Sequence, residues 1–473
     1  MVYHEHQSIG LKNRELQPED RVVVGTRRSN SEEVQRFAGA MGLAKKHPQA
    51  IIAHQVWDDG EYLPVFHTRR GTDRQDYVRF KKNYTNEDGE RIWGHGLRGK
   101  TVYIVHTLDN EIKPQELDKR VEFIADTAKY NGAERVVLVA YTLTHSAQER
   151  GVHQLSHPRM SDIKARGKYD GQGIISQTQS KLYAAVGVDT IITPHNHCPD
   201  DTRRLIEEVN EHFMPMHLAA REKNSTLRYS LDFAHVDLAP LIGTYLKQFG
   251  ASHLGFDMSG MGKKVLLLDV DLGSSEGGFV ERVKEFSGLE NAIRATMDKS
   301  KEGGKVKTIQ LVNAQGLSKE TGVEGLYIFA PDDVIRSGGT MRVNLEALRG
   351  IFSKKVIRDP RIKGTPAKVA IYASRTNFTP GSVDVLGAPA IDDILIADGD
   401  PRALANMSGL NTKTQVLWIN SYMAEAAKAV ERGEDPNDNL TPDKILQAGL
   451  LDIMIPRSHE RLGHKSRGQG DWI

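Results

Sequence analysis

The stretch best suited to chemistry is Leu326–Met341, LYIFAPDDVIRSGGTM, in which an apolar run ends in two carboxylates, Asp332 and Asp333, before a glycine-rich segment and a helix-length stretch over Thr340–Phe352. Ligands of open α/β sheets gather beyond the carboxyl ends of strands, where such segments sit. The backbone N–H groups of Ser337, Gly338, Gly339 and Thr340 would point at an anion. The glycines allow close approach, and a helix dipole adds positive potential. This pattern predicts a phosphate cup, with Asp332 and Asp333 accepting hydrogen bonds from ribose hydroxyls or from the hydration shell of a magnesium ion. The structural alternative is a Pro-Asp-Asp turn and a tight βα connection.

Three other sites carry reactive side chains. His195 and His197 follow the apolar run Thr190–Pro194 and could hold a metal or simply form a solvated pair; neighbouring Cys198 raises zinc, but no second Cys pair or spaced His pair follows. Val56–Glu61, VWDDGE, reads as a tight Asp-Gly hairpin with Trp57 in a core. Lys299, in MDKSK, would ordinarily be a solvated lysine.

The elements that must position these residues alternate between short β-branched runs and amphipathic stretches, the signature of parallel sheets covered by helices. Strands are expected at Thr101–His106, Arg135–Tyr141, Thr190–Pro194, Lys264–Val270, Leu326–Pro331, Ala367–Ala373 and Gln415–Asn420, and helices at Glu116–Tyr130 and Ser176–Ala185. The fold class is α/β. Polar stretches near 69–95, 152–173 and 199–229 interrupt the rhythm as loops or added elements. The glycine-rich, aperiodic stretch Gly250–Lys263 puts an expected domain boundary near residue 245, dividing 1–245 from 246–473. A chain of 473 residues suits two or three such domains.

Hydrophobic residues make up 39% and charged residues 26%, an ordinary globular balance. Lys plus Arg number 63 against 62 for Asp plus Glu, so no global field favours nucleic acid or anionic membrane. One cysteine, no apolar leader after Met1 and no run of roughly 18 apolar residues give a cytoplasmic expectation.

In order along the chain, several segments resemble the ribose-phosphate pyrophosphokinase (phosphoribosyl pyrophosphate synthetase) family. Leu326–Met341 is similar to the ribose-phosphate loop of type I phosphoribosyltransferases and pyrophosphokinases. Val24–Ala38, Leu97–Thr107 (LRGKTVYIVHT), Gly187–His197 (GVDTIITPHNH) and Gln415–Asp435 (QVLWINSYMAEAAKAVERGED) narrow the likeness to the pyrophosphokinases. The resemblance implies two phosphoribosyltransferase-like domains, an amino-terminal one on the ATP side and a carboxyl-terminal one on the ribose-phosphate side. It implies magnesium-dependent transfer of the β,γ-diphosphate of ATP to the anomeric hydroxyl of ribose 5-phosphate. By the same resemblance, Trp57, Asp59 and Glu61 would hold adenine across a subunit contact in a homo-oligomer, and Gln148, Glu149, Arg150 and His197 would hold ATP. His197, His195 and Asp332 would serve the metal, Ser275, Glu276, Gly277 and Gly278 would form the pyrophosphate loop, and Lys299 and His197 would act in catalysis.

The chain reads as a divergent and enlarged member, because Ala147, His195, Ser275 and Arg336 depart from the family pattern and the stretches near 69–95, 152–173 and 199–229 interrupt it as insertions. Arg336 reverses a charge beside the phosphate cup, worth on the order of a few kcal/mol at surface-like screening. That leaves a larger 5′-substituted ribose such as ADP-ribose as an alternative acceptor. A catalytically silent subunit that regulates a true synthetase is the alternative from another class. A phosphoribosyltransferase is disfavoured by the first-half matches.

Overall fold

The structure, a computed structural model, describes residues 16–26, 32–43, 51–56, 62–67, 97–107, 112–144, 174–194, 196, 199–223, 228–270, 278–302, 305–332, 339–350, 357, 359–374, 382–398, 410 and 413–454. The chain forms two compact units, one of residues 1–238 with 420–444 and the other of 239–419 with 445–473.

The first unit is built on a five-stranded parallel sheet in the order β1-β4-β5-β6-β7. Its strands are β1 (Arg21–Gly25), β4 (Thr101–His106), β5 (Arg135–Ala140), β6 (Thr190–Pro194) and β7 (Asp232–Val236). Every residue of β4 and β5 is buried, which is why TVYIVH and RVVLVA read as continuous β-branched runs rather than as alternation. Strands β2 (Ile51–Val56) and β3 (Tyr62–His67) form a separate antiparallel pair.

Helices α1 (Glu32–Ala40), α2 (Pro114–Tyr130), α3 (Ile175–Ala185) and α4 (Pro199–Glu222) join the strands. α2 starts with Pro at its first position, buries Leu117, Val121, Ile124 and Ala128 on one face, and ends where Asn131 Nδ2 donates to the Thr127 carbonyl. The polar stretch after residue 199 is α4, which buries Leu205, Ile206 and Val209 and turns its charged residues outward. The stretches near 69–95 and 152–173 lie outside the described residues.

The second unit carries an eight-stranded sheet in the order β10-β9-β8-β11-β12-β13-β14-β15. Strands β9 (Ile293–Glu302), β8 (Val265–Asp269), β11 (Tyr327–Asp332), β12 (Lys368–Ala373), β13 (Asp393–Asp398) and β14 (Thr414–Trp418) run parallel. β10 (Lys305–Gln315) and β15 (Asp452–Met454) close the edges antiparallel. The accompanying helices are α5 (Ala239–Leu254), α6 (Phe279–Ser287), α7 (Gly339–Leu348) and α8 (Ser382–Leu386). Residue 245 lies within α5. Leu266, Leu268, Ile328, Ala330, Val369 and Ile371 of the central strands pack with Met341, Leu345 and Leu348 of α7, which fixes that helix on the sheet. The mixed α/β class with mainly parallel, helix-flanked sheets is as the sequence predicts.

After β14 the chain returns to the first unit as α9 (Asn420–Arg432), followed by α10 (Pro442–Gln447). α9 is held by Glu431, whose carboxylate accepts from Arg21 Nε at 2.8 Å and Nη2 at 2.6 Å and from the Tyr103 hydroxyl.

Candidate active site

Parallel strands deliver their following segments to one edge, so the sheet register decides which sequence motifs can meet. In the second unit, Leu267 of β8 stands beside Phe329 of β11 and Asp269 of β8 stands beside Thr296 of β9. Past that level β11 continues to Asp332 and β9 continues to Glu302. Lys299, three residues beyond Thr296, projects about 10 Å past the end of β8 at roughly 3.3 Å per residue. It lies on a strand paired with β10, opposite Ile309. Lys299, still within β9, and the segments after β8 and β11 therefore lie toward the same carboxyl edge of the sheet.

Asp332 is half-buried at the end of β11. Gly339 opens α7 with Thr340 following, which puts both residues in the first turn of that helix. Gly278, with φ 62°, precedes α6 in a left-handed conformation that favours glycine. Asp333, Arg336, Ser337, Gly338, Ser275, Glu276 and Gly277 lie outside the described residues. The two segments have a common anchor: buried Asn344 of α7 donates through Nδ2 to the Val270 carbonyl at 2.5 Å. The helix after one motif is thereby fastened to the strand end that begins the other.

In the first unit β5 and β6 are neighbours, with Val137 beside Thr190, so the segments after them also share a carboxyl edge. Gln148, Glu149, Arg150, His195 and His197 belong to those segments and lie outside the described residues, as do Trp57, Asp59 and Glu61 between β2 and β3. Strand β3 packs beside α2. Asn196, between the two histidines, is buried and donates to Thr202 Oγ1 of α4 at 2.7 Å. The start of the segment after β5 is held by Thr144, which donates to Asp118 Oδ1 at 2.6 Å, and Tyr183 donates to the same oxygen at 2.9 Å. Burial, reinforced by the Asp118 charge, pushes the Tyr183 hydroxyl well above its usual range and keeps it a donor.

Among solved structures, the crystal structure of phosphoribosylpyrophosphate synthetase from Mycobacterium smegmatis matches 88% of this chain and 99% of its own, with a TM-score of 0.54 and 13% sequence identity. The fold is that of a phosphoribosylpyrophosphate synthetase. At this identity the likeness extends to the fold alone. No family model matches the chain, and no curated protein matches it.

This synthetase-like fold also brings forward residues that the motifs do not include. Asp269, fully buried at the end of β8, accepts from Arg294 Nε and Thr296 Oγ1, each at 3.2 Å, while Arg294 Nη1 reaches Glu281 Oε2 at 2.8 Å. Burial pushes the Asp269 carboxyl up, against the pull of Arg294. His106, at the end of β4, is fully buried with Nε2 4.0 Å from Asp118, and burial lowers its pKa despite that carboxylate. An acidic or imidazole side chain closing an apolar strand was the available sequence signal in both cases. Among the described residues no group of three His, Cys, Asp or Glu side chains could hold a metal ion. No helix among them is long and apolar enough to cross a membrane.

Proposed function

We propose that the protein transfers the β,γ-diphosphate of ATP to the anomeric hydroxyl of ribose 5-phosphate, giving phosphoribosyl pyrophosphate and AMP, with magnesium as cofactor. The observation that carries this reading is the register of the second sheet, which sends Lys299, the end of β8 and the end of β11 to one edge. The synthetase-like fold and the order of the sequence motifs support it independently.

In the proposed reaction residues 1–245 present ATP and residues 246–473 present the sugar. The backbone N–H groups of Ser337–Thr340 hold the 5′-phosphate, and Asp332 and Asp333 accept from ribose hydroxyls. Gln148, Glu149, Arg150 and His197 hold the ATP phosphates, while Trp57, Asp59 and Glu61 hold adenine from a neighbouring copy in a two-fold homo-oligomer. Ser275–Gly278 receives the diphosphate. The anomeric oxygen attacks the β-phosphorus in line, the bond from that phosphorus to the bridging oxygen breaks, and AMP departs as the anomeric proton is lost. The Lys299 ammonium offsets charge on the transferring group.

Magnesium takes oxygen ligands, which the half-buried carboxylate of Asp332 fits; the proposed metal-facing set also includes His195 and His197. When bound, the ion would neutralise phosphoryl charge. The proposed reaction belongs to nucleotide biosynthesis, and the single cysteine supports a cytoplasmic setting for it.

The test is AMP release from ATP and magnesium with ribose 5-phosphate, with ADP-ribose and with no acceptor. AMP with ribose 5-phosphate supports the reading. AMP with ADP-ribose alone would transfer the same chemistry to the larger acceptor, a reading that the positive charge of Arg336 favours. Silence with both, together with co-purification of a second synthetase-like subunit, would replace it with a regulatory role.

A further inference from the structure

The amino ends of β5, β6 and β7 lie at the opposite edge of the first sheet from the segments assigned to ATP, separated from them by the six residues of β5 at about 3.3 Å each. A cleft of about 320 Å³ opens there, lined by Arg135, Thr190, Asp232, His235, Glu434 and Asn437 among others. Its volume is at the lower end of the range for small-molecule sites.

Arg135, only 9% exposed, is the unusual feature of this cleft. Of the five N–H donors of a guanidinium, the protein engages one group: Nη2 donates to Thr190 Oγ1 at 2.8 Å. Nε is buried without a hydrogen-bond partner. Among the described residues no salt bridge joins Arg135 to a carboxylate. A guanidinium is always charged and is costly to bury unpaired; Nη1 makes no hydrogen bond among the described residues and is not enclosed as Nε is, so it is the group left to meet an acceptor in the cleft.

The other charges narrow what that acceptor can be. Glu434 is taken by Arg432, with contacts of 2.9 and 2.7 Å. Asp435 accepts from the Asn437 backbone at 2.8 Å, and Arg203 is tied to Asp200 at 2.8 Å. Asp232 is an exposed residue on the cleft wall whose carboxyl is pushed up by burial and by Asp189 and pulled down by Arg135 and Arg228, and no ion pair joins it to Arg135 among the described residues. Among the described residues the cleft thus presents one cation outside any salt bridge, Arg135, and two carboxylates outside any, Asp232 and Asp435. The Asp232 and Asp435 carboxylates on its wall disfavour a polyanion such as a nucleotide.

We propose that this cleft binds a small zwitterion of the amino-acid class, its carboxylate on Arg135 and its ammonium on Asp232. The site is separate from the diphosphate chemistry, and binding is measured without reference to activity. The experiment is isothermal titration calorimetry of the full chain with each standard amino acid singly, with the corresponding deaminated acids and with inorganic phosphate. One or more amino acids bind; their deaminated acids bind at least about tenfold more weakly, and phosphate does not bind.

Asp232→Asn, at an exposed position, leaves the melting profile in place and weakens the amino acid by at least about tenfold; Arg135→Lys, which keeps the charge but loses the fork, also weakens it. The proposal is overturned if no amino acid binds at millimolar concentration, if a deaminated acid or phosphate binds as tightly, or if Asp232→Asn retains full affinity in a folded protein.

Discussion

His106 shows how a single buried residue links this fold to pH. Its ring is fully enclosed and both nitrogens lack hydrogen-bond partners, so burial holds its pKa below the ordinary 6.5. As pH falls through about 6.5 the unfolded chain takes up a proton that the folded chain resists, and stability declines. The contribution is complete above that pH and is lost below it, at up to about 1.4 kcal/mol per pH unit. His106→Phe removes the titrating group, so denaturation midpoints measured from about pH 7.5 down to about pH 5.5 should fall less steeply in the variant than in the parent protein. Equal slopes would show that His106 is not the group involved.

Arg294 illustrates a different residue-scale dependence, because it is the cation beside fully buried Asp269. Arg294→Ala leaves that carboxylate with Thr296 as its remaining side-chain donor. Arg294 is itself partly exposed, so the expected loss is about 1–3 kcal/mol rather than the cost of a fully buried pair. Chemical denaturation measures it.

At the scale of elements, α9 and the α5–α6 contact are held by different physics. α9 is fastened by charge: Glu431 is enclosed with Arg21 and Tyr103, and Glu431→Ala would strand a buried guanidinium. Breaking such a pair costs about 3–5 kcal/mol, readable as a lower unfolding midpoint of the first unit. The α5–α6 contact depends on the absence of a side chain. A Cβ at Gly243 would come within 2.5 Å of Phe286 Cβ and 2.9 Å of the Phe286 and Ser287 backbone. Gly243→Ala must therefore separate the helices, at about 1–3 kcal/mol, whereas exposed Gly39→Ala, which meets nothing within 4 Å, should be neutral or stabilising. Calorimetric melting of the two variants tests the contrast.

At the scale of the whole molecule, the proposed reaction requires the metal and both proposed catalytic residues in one functioning protein. Lys299→Ala and His197→Ala should each reduce AMP release by at least about a hundredfold, with melting temperatures near that of the parent. Full turnover in either would remove that residue from the chemistry. Chelating magnesium should stop AMP release reversibly, and restoring it should recover the rate.

The central strands were legible in the sequence because a buried parallel strand must be apolar on both faces. Thr101–His106 and Thr190–Pro194 fall on β4 and β6 with the same limits. β7, β9, β10 and β13 were not legible: DFAHV, IRATMDKSKE, KVKTIQLVNAQ and DILIAD mix charged or polar residues with apolar ones; β7, β9 and β13 are held by parallel partners reached across helical crossovers, and β10 by its hairpin with β9. The candidate motifs were visible as local patterns of strand, carboxylate and glycine, whereas their common edge was not, since it follows from β8 lying between β9 and β11. Asp269 and Arg294 gained importance only once that register placed them together.

The sequence by itself determined the α/β class, most central strands and the order of the motifs, because local apolar periodicity and turn chemistry act within a few residues. Tertiary structure alone decided that 420–444 returns to the first unit, through an Arg21–Glu431 contact spanning 410 residues, and that Arg135 and Asp232 share a cleft. Such pairings depend on which surfaces exclude water together, a property of the folded chain that local periodicity does not encode.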